Sequence, residues 1–311
     1  MQRWGKTVGG VQRWHCFYCK KTEIKKRPDR QRSGVIFLLK KWLTGNATLK
    51  ELAKQKRITI QTLGRHFKSC WQQPCAALSK SDDQILILDG TRISSDCALL
   101  IIMNAKTNSP IAWCPTVRES YASWKAFLAK LPQEPSHVVC DGHSGLIKAV
   151  RERWPNAHIQ RCMAHLLREL RKILTRHPKL PASITLKILV NELAEIKTLR
   201  QKRKWVRKLF RWRRKYNKFL KEKTVTFYGH WHYTHRSLCR ARTHLFRALP
   251  NLFRYIKNYE VPCTSNQLEG GINSPIKDLI RKHRGMDTRR KLILSSFYLQ
   301  KRVQKPTRNV H

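Results

Sequence analysis

Gln84-Ile-Leu-Ile-Leu-Asp-Gly-Thr91 and His137-Val-Val-Cys-Asp-Gly-His143 are the two stretches on which the fold turns. Each is a short apolar run that ends in an aspartate followed by glycine, the pattern of a buried strand running out into a loop. Around them the periodicity changes in a definite order. Strands are predicted at 84–88, 96–104 and 111–117, with Asn108-Ser-Pro110 turning the second into the third. Tyr121–Leu131 repeats apolar residues at helical spacing, 137–141 is a fourth strand, and Gly145–Trp154 is a second helix. His158–Arg161 reads as a short fifth strand leading into a helix at Met163–Leu174.

Three hairpin strands, then helix, strand, helix and strand, is the element order of an RNase H-like α/β fold. In that order the first and fourth strands are neighbours, so Asp89 and Asp141 are expected together at one end of the sheet. A third carboxylate, Glu269, lies in Thr264-Ser-Asn-Gln-Leu-Glu-Gly-Gly271 at the start of a predicted helix. Acidic residues are scarce here: 19 Asp and Glu face 65 Lys and Arg, for a formal charge of +46. Carboxylates crowded at one point in low dielectric repel, and one takes a proton unless a cation intervenes. Two Mg²⁺ (or Mn²⁺) ions about 4 Å apart relieve that repulsion and support phosphodiester chemistry. Such a charge is neutralised by a polyanion, and released counterions drive binding to nucleic acid.

The 311 residues, 41% of them apolar, are enough for a sizeable core in two or three modules, and exclude a disordered polybasic tail. No stretch of about 18 apolar residues suggests a membrane span, and the start Met1-Gln-Arg-Trp-Gly-Lys lacks a secretory apolar core. The ten cysteines form no regular framework, which fits a reducing, cytoplasmic setting. Cys97, Cys114, Cys140 and Cys239 sit among apolar neighbours and read as core residues.

The first 30 residues are basic and aromatic, with one C-x-x-C at Cys16 and Cys19. That pair is a candidate Zn²⁺ half-site, but a structural zinc needs four ligands. The segment reads as the second half of a zinc ribbon whose first half is missing. Residues 33–71 read as three short helices. Thr48 and Glu51 form a capping box, and a second helix over Arg57–Lys68 presents Gln61, Arg65 and Lys68. Helix, turn and basic helix fit a helix-turn-helix that reads DNA.

Residues 175–262 carry no strand signal and are expected to be an all-α insertion. In Ile196–Lys223, 14 of 28 residues are Lys or Arg, and the apolar residues recur at near-helical spacing. Arg207, Arg211 and Arg214, with Trp205 and Trp212 interleaved, are read as a track for the phosphate backbone. The three histidines of Phe227–His235 alternate with aromatics and are assigned no metal role.

Four segments together resemble the DDE transposases of bacterial insertion sequences, on the Mutator-related branch. They are Leu88-Asp89-Gly-Thr91, Val139-Cys-Asp141-Gly-His143, Arg161-Cys162-Met-Ala-His165 and Thr264-Ser-Asn266-Gln-Leu-Glu269. The tail, with Asn273, Ile276-Lys277 and Arg284-Gly-Met286, follows the same pattern. The resemblance covers about residues 84–300. It implies that Asp89, Asp141 and Glu269 hold two metal ions, and that Cys162, His165 and Asn266 support the site or the DNA. It also implies phosphate contacts from Lys277, Arg281 and Arg284. The implied activity is binding of the element's inverted-repeat ends, metal-dependent strand cleavage and strand transfer into target DNA. A homodimer or larger assembly on DNA, associated with the bacterial nucleoid, follows from the need to pair two ends.

The expected organisation is a partial ribbon at 1–30, a helix-turn-helix domain at 31–78, and an RNase H-like catalytic domain at 79–311 with its insertion at about 175–262. Two other readings share some of these features. Another RNase H-fold nuclease would have the carboxylates but not the C-x-x-H or the basic insertion. A non-catalytic DNA-binding derivative would have no need of all three carboxylates.

Overall fold

The computed structural model describes residues 1–24, 28–45, 47–68, 70 and 85–304. They fall into two compact units, Met1–Gln72 and Gln73–His311. The expected boundary at 78/79, and Gln84 at the start of the first catalytic strand, lie outside the described residues.

In the first unit, β1 (Gln2–Lys6), β2 (Gln12–His15) and β3 (Thr22–Ile24) form an antiparallel meander. Trp4, His15 and Phe17 cluster on it, with ring centroids 4.8 to 5.8 Å apart. Cys16 and Cys19 sit in the turn after β2, where the Cys16 N–H donates to Lys21 O at 2.9 Å. Three helices follow: α1 (Pro28–Thr44), α2 (Leu49–Gln55) and α3 (Ile60–Lys68). Helix α1 has Pro28 at its first position, where a missing N–H costs nothing. The Thr48 cap forms in both directions: Glu51 N–H donates to Thr48 Oγ1 at 3.2 Å and Thr48 N–H to Glu51 at 2.8 Å. Helix α3 starts three residues later than expected because Arg57 takes a left-handed conformation, φ +52°. Leu39, Leu43, Leu52, Leu63 and Phe67 form the buried centre, which leaves Gln61, Arg65 and Lys68 exposed on α3.

The second unit is built on β4 (Ile85–Ser94), β5 (Cys97–Asn104), β6 (Pro110–Thr116), α4 (Tyr121–Leu128), β7 (His137–Cys140), α5 (Ser144–Arg153) and β8 (His158–Arg161). The strands make a mixed five-stranded sheet in the order β6-β5-β4-β7-β8. Strands β4, β5 and β6 are antiparallel neighbours, whereas β4–β7 and β7–β8 are parallel. The first and fourth strands of this sheet are therefore paired. Leu86, Leu88, Leu100 and Ile102 face α4 and α5, packing on Trp124, Phe127, Leu146 and Val150. Ile85, Ile87, Leu99, Ile101 and Val139 face Leu268, Ile272, Ile276 and Leu299. Both faces are covered, which is why these strands are continuously apolar and do not alternate.

The chain then leaves the sheet through α6 (Met163–Leu174), α7 (Pro181–Glu192), α8 (Leu199–Lys215), α9 (Asn217–Leu220), β9 (Lys223–Val225), β10 (Trp231–Tyr233) and α10 (Arg236–Ala248). The expectation of an all-α segment is corrected by β9 and β10, an antiparallel hairpin closed by Thr226 N–H to His230 O at 2.7 Å. Thr224, Val225, Trp231 and Tyr233 favour extended backbone, a preference hidden by the surrounding lysines and histidines. Trp205 and Trp212 are also corrected: both are buried, with indole N–H groups bonded to Leu189 O at 2.8 Å and Ala182 O at 2.9 Å. They anchor α8 on α7 and do not accompany a phosphate track. Arg207, Arg211 and Arg214 remain exposed on the outer face of α8.

Buried Gln160 on β8 ties this region to the sheet. Its Nε2 donates to Leu252 O at 3.0 Å, and its Oε1 accepts from Arg254 N at 2.8 Å. The chain returns through α11 (Asn266–Leu268), one wider π-type turn at Glu269–Asn273, α12 (Ser274–Lys282) and α13 (Thr288–Gln304). Arg284 lies beyond the end of α12.

Candidate active site

Parallel pairing of Ile87 with Val139 and Leu88 with Cys140 carries both strands to the same edge. One residue further on, Asp89 and Asp141 stand side by side. Asp89 is buried; its Oδ1 accepts the Gly90 N–H at 3.0 Å and its Oδ2 accepts Asn273 Nδ2–H at 2.8 Å. Burial, and then the charge of Asp141, push its carboxyl up to about 7. Asp141 is half-buried and accepts the His143 N–H at 2.8 Å, which fixes it at the entry of α5. The intervening Gly142 has φ +101°, and a Cβ there would lie 2.6 Å from Arg161 Cζ. Glycine at this left-handed position leaves the room that the Arg161 side chain occupies.

Glu269 arrives from far along the chain, and Cys162 and His165 bring it in. Cys162 caps α6 and receives the Ser265 N–H on its sulfur at 3.2 Å. The adjoining Met163 N–H donates to Cys263 O at 2.9 Å, and His165 Nδ1 lies 3.4 Å from Ser265 Oγ. The C-x-x-H pair thus clamps residues 263–265 against the end of β8, four residues before Glu269. Burial opposes ionisation of Cys162, but hydrogen bonds with His165 and Ser265 outweigh it and lower the thiol. His165 is raised to about 9, first by its bond to Cys162, with further help from the charges of Asp89 and Glu269. This histidine is within electrostatic reach of both carboxylates.

Arg168, one turn after His165, holds the Glu269 carboxylate with two bonds of 3.1 and 3.3 Å. Burial raises Glu269, but the Arg168 bond and the charges of His165, Arg168 and Lys277 win and lower it. Among the described residues no three His, Cys, Asp or Glu side chains are gathered closely enough to hold a metal ion. The donor chemistry nevertheless suits a hard cation. Among the described residues Asp89 is a buried carboxylate with no ion-pair partner, His165 acting on it only through its charge, and buried Asn273 beside it has an Oδ1 with no hydrogen-bond partner.

Sequence reasoning passed over Arg168 and the role of Asn273. Asn266, named for this place, is exposed, and its N–H reaches Thr264 Oγ1 at 3.4 Å. Lys277 acts on Glu269 through its charge, while Arg281 is paired with Asp278 on α12. Behind Gly142, Lys148, Arg151, Arg161, His244 and Arg247 line an open cavity of about 630 Å³. Arg161 there bonds His244 at 2.9 Å and Glu169 at 3.5 Å. Cys16 and Cys19, like the other seven cysteines among the described residues, are free thiols.

Comparison with known proteins bears on the middle of this unit. Residues 111–250 match the model of a family described as Transposase, Mutator family. The matched segment runs from β6 to the end of α10 and contains Asp141, Cys162 and His165, with Asp89 before it and Glu269 after it. Over 73 residues the chain is 33% identical to a probable transposase for an insertion sequence element of Corynebacterium diphtheriae. The aligned part is 22% of this chain and 21% of that relative, so about a fifth of the relative's length is spanned. No described helix is long and apolar enough to cross a membrane.

Proposed function

We propose that the chain is a transposase that cuts and joins DNA at an Asp89–Asp141–Glu269 site. The observation that carries this reading is the parallel β4–β7 register, which sets two aspartates side by side within a chain of net charge +46. The Mutator match across β6 to α10 points to the same chemistry. On this reading the sheet and its covering helices are an RNase H-like core, and α6 to α10 with the β9–β10 hairpin are an insertion in it. Unit Met1–Gln72 supplies a helix-turn-helix, with Gln61, Arg65 and Lys68 of α3 toward DNA and Cys16 and Cys19 as a zinc half-site.

Asp89, Asp141 and Glu269 would hold two Mg²⁺ or Mn²⁺ ions. When bound, these lower the pKa of the attacking water or 3′-hydroxyl and stabilise the leaving oxygen. Asn273 orients Asp89, and the Cys162–His165 clamp sets where the Glu269 turn begins. Arg168 neutralises Glu269 in the metal-free protein and is placed to meet a phosphate once the carboxylate turns to the cation. Arg207, Arg211, Arg214, Lys277 and Arg284 offer exposed positive charge to the DNA backbone. The substrates are the ends of the protein's own element and a target duplex, and a dimer or larger assembly would pair the two ends.

The test is a supercoiled plasmid carrying the DNA that flanks the gene, incubated with protein and Mg²⁺ or Mn²⁺. End-specific nicks and joined products are expected from the parent, and neither from Asp141→Asn or Glu269→Gln. Equal activity in the two variants would place the site elsewhere.

A further inference from the structure

Glu119 stands outside every motif read from the sequence, yet it belongs to the same edge of the sheet. It immediately precedes Ser120, the N-cap of α4, whose capping box with Ser123 uses bonds of 2.9 and 3.2 Å. That cap fixes the approach of the chain and turns Glu119 inward. Its Oε1 accepts the indole N–H of fully buried Trp124 at 2.9 Å. Its Oε2 lies against the backbone of Gly90, the neighbour of Asp89. A Cβ on Gly90 would collide with this carboxylate, whose carbon would be only 2.7 Å away. Glycine at position 90 makes the room that Glu119 occupies.

The charge balance is telling. The chain has 65 Lys and Arg for 19 acids, so a partner for any carboxylate is abundant. Glu269, Glu169 and Glu192 have taken one: Arg168, Arg161 and Lys208. Among the described residues no Lys or Arg forms an ion pair with Asp89, Asp141 or Glu119. Like charges left unpaired and partly buried are costly unless a cation joins them. Glu119 is coupled into the group: among carboxylates, only Asp141 acts on Asp89 more strongly, and Glu269 acts less. An independent sign of a missing ligand is the Oδ1 of Asn273. This residue is 3% exposed, its amide nitrogen bonds Asp89, and its oxygen has no partner.

We propose that Glu119 supplies a fourth carboxylate to the divalent-cation centre of Asp89, Asp141 and Glu269. This rests on the metal-dependent reading above and names a residue which that reading lacks. With Glu269 drawn to Arg168, the metal-free protein presents Asp89, Asp141 and Glu119 as its unpaired oxygen donors. Carboxylate oxygens are what Mg²⁺ and Mn²⁺ select.

The experiment is Mn²⁺ binding to the full-length protein, read from the loss of the free-ion electron paramagnetic resonance signal. Melting temperatures in chelator and in Mn²⁺ are measured in parallel. Glu119→Gln keeps an acceptor for Trp124 and removes the charge. It is compared with Asp89→Asn, Asp141→Asn and the surface variant Glu195→Gln. Glu119→Gln is expected to weaken Mn²⁺ binding by about tenfold or more. It is also expected to melt higher than the parent in chelator and to gain less from Mn²⁺. If Asp89→Asn and Asp141→Asn lose Mn²⁺ while Glu119→Gln binds as the parent does, Glu119 serves only the entry of α4 and the proposal falls alone. If the parent binds no Mn²⁺, with or without DNA, the metal-dependent reading falls with it.

Discussion

Asp89 shows how a single buried charge links stability to function. Its folded-state pKa is raised from 3.8 to about 7, mainly by burial and then by Asp141. The folded protein therefore binds this proton more tightly than the unfolded chain does. The stabilisation that this confers is full below about pH 4 and is lost as pH rises toward 7. In chelator, the parent should lose stability across that interval, while Asp89→Asn should not show this component. The melting temperature of the variant should exceed the parent's at pH 8 and converge with it near pH 4. Parallel profiles would mean that Asp89 is better solvated than its surroundings indicate. Asp89, Asp141 and Glu269 were singled out from the sequence because the first two end apolar runs and the third sits in a recognisable segment. Glu119, Arg168 and the role of Asn273 were not. Their significance comes from approaches between residues such as Arg168 and Glu269, which no local pattern encodes.

At the level of elements, the joint between sheet and helical region depends on one side chain. Gln160 satisfies the carbonyl of Leu252 and the N–H of Arg254 from a position with no solvent access. Gln160→Leu keeps most of the volume but strands both backbone groups, at a cost of about 1–3 kcal/mol each before relaxation. Urea unfolding should show a lower midpoint, and a separate early transition would mean that the helical region unfolds by itself. An unchanged midpoint would show that water replaces the glutamine. The strands were readable because central β-strands covered on both faces leave continuous apolar runs. The β9–β10 hairpin was not, since three-residue strands on an exposed loop leave too short a pattern amid dense charge. The two tryptophans of α8 illustrate another limit: spacing placed them on a helix, but only packing shows that they face α7.

The whole molecule is dominated by its charge of +46, which makes affinity for any polyanion strongly dependent on salt. Arg207, Arg211 and Arg214 share the exposed face of α8, so replacing all three with Gln should leave the fold intact. If each contacts a phosphate, the slope of log K against log salt should fall in magnitude by about 3 for duplex DNA. A slope unchanged within error would remove α8 from the DNA path. The same titration with an unrelated duplex would separate backbone attraction from recognition of particular ends.

The strand order of the sheet also sets a timetable. Asp89 and Asp141 are made early, but the turn that bears Glu269 comes about 130 residues after Asp141. At roughly 5–20 residues per second, a ribosome needs on the order of 6 to 25 s to cover that distance. Through that interval the nascent chain has its first unit and most of its sheet, but lacks the third carboxylate and the segment that Cys162 clamps. If Asp89, Asp141 and Glu269 form the proposed site, a site divided in this way stays latent during synthesis. On the proposed reading, products that stop inside the helical region would bind DNA without cutting it, and would compete with the full chain for the same sites.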